Sequence, residues 1–94
     1  MIRSYKDRRT EAVASGRPGK GFPADLLRVA VRKLTMIEYA ARLSDLRSPP
    51  GNRLEALKGD RRGQYSIRIN DQFRICFRWS EDGAEDVEIT DYHG

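Results

Sequence analysis

Between residues 24 and 43 the apolar positions Leu27, Ala30, Leu34, Ile37 and Ala41 recur at alternating spacings of three and four. That period lays one apolar stripe along an α-helix. Leu26, Val31 and Met36 widen the stripe, whereas Arg28, Arg32, Lys33 and Arg42 fall off it. Pro23 suits the helix start. Residues 44–47 can add one turn, and Ser48-Pro49-Pro50-Gly51-Asn52 breaks the chain,. Upstream, residues 2–6 predict a short strand and residues 7–15 a helix that Gly16 ends. Residues 16–23 (GRPGKGFP) form a basic loop. From residue 64 the period changes to two. Residues 64–69, 73–79 and 86–92 alternate apolar and polar, with a short strand over 54–57 and turns at 70–72 and 81–83,. Helices followed by a meander predict a single α+β domain over residues 1–94: two N-terminal helices packed on one face of a mainly antiparallel, twisted sheet.

The alternation also predicts a register. Apolar must oppose apolar if one face is to be a clean core. This pairs Ile69 with Phe73, Ile67 with Ile75 and Tyr65 with Phe77, and puts Arg68 opposite Arg74. Continued into the third strand, Trp79 meets Val87, Phe77 meets Ile89, Arg78 faces Glu88, and Tyr92 falls opposite Arg74. Arg68, Arg74 and Tyr92 then form one row on the face that the helices leave open. Like charges directly opposed across a sheet are unfavourable. A row of two arginines and a phenol suits a bound anion, a phosphate with a base stacked beside it.

Charge strengthens that expectation. The chain has a net charge of +4, unevenly spread. Up to Trp79 there are 18 basic and 8 acidic residues; from Ser80 onward there are six acidic residues and no lysine or arginine. Fourteen of the basic residues are arginine, whose planar fork grips phosphate bidentately. A basic body points to a polyanionic partner, with nucleic acid as the expectation. The lone cysteine, Cys76, excludes an internal disulfide framework and a cysteine-clustered zinc site,. No apolar run is long enough for a bilayer, and Met1–Lys6 lacks the apolar stretch of a secretory signal. These features lead us to expect a cytoplasmic protein without membrane association.

Walker, dinucleotide and HExxH motifs are absent, and one histidine does not build a metal site with ordinary ligand spacing,. RNA, however, carries its own nucleophile, the 2′-hydroxyl. Cleavage then needs a base, an acid for the leaving 5′-oxygen, and cations for the developing charge. The candidates are Glu55 or Asp91 as base, His93 as acid, and Arg74, Arg68 and Lys58 as charge stabilisers. Arg61 and Arg62 join Lys58, Arg68 and Arg74 as phosphate-binding candidates. No metal and no cofactor are expected.

Three stretches carry a resemblance: residues 52–60 (NRLEALKGD), 65–75 (YSIRINDQFRI) and 88–93 (EITDYH), together with the opening MIRSY and the SPPGNRLE run. In that order they resemble the HigB branch of the RelE/ParE toxin superfamily over nearly the whole chain. The resemblance implies the RelE/ParE-like microbial RNase fold and the toxin of a bacterial toxin–antitoxin pair. It further implies cutting of mRNA in the ribosomal A site and a HigA-like helix-turn-helix antitoxin as partner. It assigns active-site roles to Asp91, Tyr92, His93, Lys58 and Arg74, and extends to Arg68. Some members carry a histidine just before the Leu-Lys-Gly-Asp run, where this chain reads Glu55-Ala56, so the base assignment differs here. Two other readings compete: a non-catalytic poison that binds a protein target, as gyrase-directed members of the superfamily do, and a simple RNA-binding module.

Overall fold

Asp7 starts the first helix. Its carboxylate accepts a hydrogen bond from the Thr10 amide at 2.7 Å, which satisfies an otherwise unpaired N–H of the first turn. Helix α1 spans Arg8–Ala14, and Gly16, at φ +76°, turns the chain away,. The structure, a computed structural model, describes residues 1–91. Helix α2 spans Leu27–Tyr39 behind a 3-10 turn, Ala24–Leu26. It ends short of the expected residue 43. The Asp45 carboxylate accepts from the Ala41 and Arg42 amides, both at 3.0 Å, and so draws the backbone out of the helix. Leu43–Arg47 form a 3-10 helix instead.

Among the described residues four strands form one sheet in the order β1 (Glu55–Ala56), β2 (Tyr65–Arg68), β3 (Phe73–Ser80) and β4 (Gly83–Asp91). All neighbours are antiparallel. The predicted N-terminal strand appears as two isolated parallel bridges onto β4, Ile2 to Ala84 and Tyr5 to Val87. It covers an edge that would otherwise offer unpaired backbone groups. Gly83 permits this approach: a Cβ there would lie 2.0 Å from the Met1 carbonyl oxygen.

The β2–β3 register agrees with the expectation, with Tyr65, Ile67 and Arg68 facing Phe77, Ile75 and Arg74. The β3–β4 register differs. Ile75 faces Ile89, Cys76 faces Glu88, and Arg74 faces Thr90 rather than Tyr92. Trp79 faces Ala84, not Val87, and Arg78 faces Glu85, not Glu88. A tight hairpin through Glu81-Asp82 pairs Ser80 with Gly83, and a bulge between Cys76 and Arg78 then shifts the ladder. Asp86, at φ +53°, sits in that bulge,. Apolar alternation specifies which face a residue takes; the turn specifies which rung.

The helices cover one face. Val13, Ala30, Leu34 and Ile37 form a single core cluster with Ile67, Ile75, Phe77, Val87 and Ile89. Burying each large member stabilises the fold by roughly 1.5–3 kcal/mol. Lys33, expected off the apolar stripe, is also buried, at 5% exposure. Its Nζ donates to Oδ1 of Asn52, which offsets the cost of removing a polar group from water.

Candidate functional site

Strand alternation sends Glu55, Ser66, Arg68, Arg74, Cys76, Glu88 and Thr90 to the face away from the helices. Glu55, Ser66, Cys76 and Glu88 occupy one row across all four strands. This face is more closed than a bare solvated sheet: Ser66 and Cys76 have no exposed surface. Long side chains reach over them. Arg61 donates from Nη1 to Glu88 Oε1 at 3.0 Å and to Gln64 Oε1 at 3.1 Å.

Arg74 is the best-anchored candidate. Its Nε donates to Ser66 Oγ at 2.8 Å, and its Nη2 donates to the Arg53 carbonyl at 2.8 Å. The same Nη2 lies 3.7 Å from Glu55 Oε1. The Arg74 side chain is 11% exposed and that of Glu55 is 55% exposed. The cation is therefore held by the fold, while the carboxylate beside it is reachable from solvent. Charge-assisted hydrogen bonds of this kind fix a planar guanidinium in direction as well as position.

The opposition of Arg68 and Arg74 is real at the backbone, but each side chain has its own carboxylate. Arg68 pairs with Asp71, which is almost fully exposed; Arg74 pairs with Glu55. These pairs relieve the like-charge repulsion that the sequence suggested an anion would relieve. A pair on so exposed a carboxylate is screened and weak. Lys58 precedes the 3-10 turn Gly59–Arg61, and both it and Arg62 are exposed. Asp91 has the parity of Ile89, so it belongs to the helix side of the sheet. It sits at the exposed end of β4 and accepts from Gln72 Nε2 at 3.0 Å. The structure thus brings Glu55 to Arg74 and puts Asp91 on the other side. Tyr92 and His93, the expected stacking residue and acid, lie outside the described residues.

Several contributors escaped the sequence reading: Ser66, the Arg53 carbonyl, Gln64 and Glu88. Ser66 was within reach of it. It opposes Cys76 in the expected β2–β3 register, which makes it a diagonal neighbour of Arg74. The Arg53 carbonyl leaves no trace in residue identity. Burial shifts two groups near this framework. It pushes the Cys76 thiol above its usual value. It pulls Lys33 down, with the charges of Arg32 and Arg68 acting in the same direction,. Among the described residues no helix is long and apolar enough to cross a membrane.

Comparison with known proteins sets this geometry in a family. Residues 5–93 match the family described as "RelE-like toxin of type II toxin-antitoxin system HigB". The chain is similar to Toxin HigB-1 of Vibrio cholerae serotype O1, with 46% identity over 58 residues, 62% of this chain and 61% of that protein. That match therefore spans less than two thirds of the Vibrio protein's length. An uncharacterized protein of Haemophilus influenzae is 42% identical over 68 residues, 72% of this chain and 67% of that protein. Endoribonuclease HigB of Proteus vulgaris is 29% identical over 93 residues, 99% of this chain and all of that protein. With the family match running over all but the first four residues and the last, this chain belongs to the HigB-like toxins, the RelE-like toxins of type II toxin–antitoxin systems.

Proposed function

We propose that the chain is an endoribonuclease that cuts mRNA on the ribosome and so arrests translation, and that its antitoxin is a HigA-like helix-turn-helix protein. The observation that carries this reading is the pairing of an anchored cation, Arg74, with an exposed carboxylate, Glu55, 3.7 Å away on the face free of helices. That is the equipment a metal-free phosphodiester cleavage needs at its centre. The endoribonuclease name of the full-length Proteus relative points the same way.

In this mechanism Glu55 takes the proton of the 2′-hydroxyl. The 2′-oxygen bonds to phosphorus, the bond from phosphorus to the 5′-oxygen breaks, and the leaving oxygen takes a proton from an acid, for which His93 is the candidate. The products are a 2′,3′-cyclic phosphate and a 5′-hydroxyl. Arg74 stabilises the charge that builds on the phosphoryl oxygens, and Arg68, Lys58, Arg61 and Arg62 hold flanking phosphates. Tyr92 serves as the stacking surface for a neighbouring base. Glu55 is preferred to Asp91 as base because it adjoins Arg74, whereas Asp91 belongs to the opposite face.

The test is primer extension on an mRNA incubated with the purified chain, with and without translating ribosomes. Discrete cuts that require ribosomes are expected. Growth arrest without cuts would transfer the chain to the protein-binding class of poison, and equal cutting of naked RNA would remove the ribosome from the proposal.

A further inference from the structure

The loop that carries the Arg53 carbonyl is fastened to the core from below. Lys33 reaches from α2 to the fully buried Asn52. Asn52 engages both ends of its amide: Oδ1 accepts from Lys33, and Nδ2 donates to the carbonyls of Leu46 (3.1 Å) and Ser48 (3.3 Å). A buried amide satisfied at both ends has few other geometries open to it, because any rotation leaves polar groups unpaired.

The backbone beyond Asn52 leads straight to the site. Asn52 closes the 3-10 turn Pro50–Asn52, and Arg53 follows in the left-handed region at φ +46°. That region costs a residue with a Cβ on the order of 1 kcal/mol and persists only where its surroundings impose it. The carbonyl so presented accepts from Arg74 Nη2 at 2.8 Å. Two residues further on, Glu55 enters β1 opposite Ser66, the other hydrogen-bond partner named for Arg74. One turn therefore sets both an anchor of the cation and the start of the strand that bears the base.

We propose that Asn52 is a positioning residue for the cleavage reaction: locked onto Lys33 and the carbonyls of Leu46 and Ser48, it holds Arg53 in its left-handed turn and thereby aims the Arg74 guanidinium at the phosphate beside Glu55. The inference rests on the endoribonuclease reading given above. Asn52 and Lys33 touch no substrate; they act through Arg74.

Two readouts on the full-length chain test it. The first is ribosome-dependent cleavage by Asn52→Ala and by Lys33→Met, which keeps the buried stem and removes the donor. Misplacement of a catalytic group by about 1 Å can cost on the order of 100-fold. Turnover should accordingly fall about 10- to 100-fold in each variant with KM little changed. In an Arg74→Ala background Asn52→Ala should cost clearly less than it costs the wild type, because the part of its effect that runs through Arg74 has already been removed. The second readout needs no activity. The Arg74 Nε–H signal in a nitrogen-edited NMR spectrum, assigned by its loss in Arg74→Lys, should stand apart in the wild type. In Asn52→Ala it should shift toward the exposed arginines while the sheet amides stay in place, because loss of the Arg53 carbonyl as acceptor of Nη2 lets the guanidinium turn about its bond to Ser66.

An unmoved Arg74 signal, or a full additional loss of turnover on top of Arg74→Ala, overturns the proposal. If the wild type cuts no RNA, the endoribonuclease reading fails, and the NMR signal still decides whether Asn52 positions Arg74. Should Asn52→Ala not fold, Asn52→Asp retains an acceptor for Lys33 but loses the Nδ2 donors, and it is read in the same way.

Discussion

Arg74 is a charged side chain in mid-sheet, and its named contacts are polar: a hydroxyl, a backbone carbonyl and a carboxylate. Such an arrangement makes its neighbours unequal. Glu55 shares the cation's face and is open to solvent, so Glu55→Gln should lower the cleavage rate by about 100-fold or more, the usual scale of losing a general base. Asp91→Asn should cost less than about tenfold on that scale, because Asp91 belongs to the far side of the sheet. Single-turnover cleavage by the two variants checks this, and the reverse ranking would hand the base to Asp91. Cys76 makes a different kind of prediction. Burial raises its pKa, so the folded chain keeps a proton that the unfolded chain releases once the pH passes about 8.5. The folded state then binds more protons than the unfolded state, and stability falls as pH rises through that window. Chemical denaturation from pH 8 to 10 should show this decline. Cys76→Ala should be less stable at neutral pH but show a shallower alkaline slope; an unchanged slope would mean that the thiol is not the group responsible.

The elements differ in how they are fastened. The β4 edge depends on the N-terminal segment, and that contact depends on Gly83. Its φ of +128° disfavours a Cβ, and the Met1 carbonyl oxygen occupies the space a Cβ would need. Gly83→Ala should destabilise the chain by about 2 kcal/mol or more through strain and displacement of residues 1–6. Loss of hydrogen-exchange protection confined first to the amides of Arg3, Lys6, Ala84 and Val87 would place the damage. Protection unchanged at those amides would contradict it. At this scale much was legible in the sequence. The stripe Ala30-Leu34-Ile37 identified α2, and the alternation of Ile67, Ile75, Phe77 and Ile89 identified the core face, because period and burial are linked directly. The β2–β3 rung was also legible, through the short connection at 70–72. The β3–β4 rung was not, since a two-residue hairpin and a bulge at Asp86 shift pairing without changing which residues are apolar. Glu55 and Arg74 could be named as candidates from their types. Their mutual distance could not, because it depends on a left-handed Arg53 and a buried Lys33–Asn52 contact that no pattern of residue types announces.

The whole molecule is about 32 × 27 × 26 Å in extent, so its charges act together on any large partner. Lys58, Arg61, Arg62 and Arg68 lie on or beside β1 and β2, whereas Glu81, Asp82, Glu85, Asp86 and Glu88 lie on β4 and its turn. A polyanion should therefore approach from the β1–β2 side of the sheet, where Glu55 and Arg74 wait. RNA affinity, measured by anisotropy with a labelled oligonucleotide, should drop at least about tenfold as salt rises from roughly 50 to 200 mM, as release of counterions requires. A flat response would argue that phosphate contacts contribute little. The central question is whether the anchored cation beside Glu55 is the centre of an RNA-cleaving site. Arg74 and Arg78 are both arginines of β3 with the same parity, and each is paired with a carboxylate, Arg74 with Glu55 and Arg78 with Asp86. The most direct measurement is therefore primer extension on translating ribosomes with Arg74→Ala beside Arg78→Ala. Arg74→Ala should lose about 100-fold or more of the cutting, the scale of removing an electrostatic stabiliser, while Arg78→Ala cuts much as the wild type does. Equal losses in the two variants, or undiminished cutting by Arg74→Ala, would contradict it.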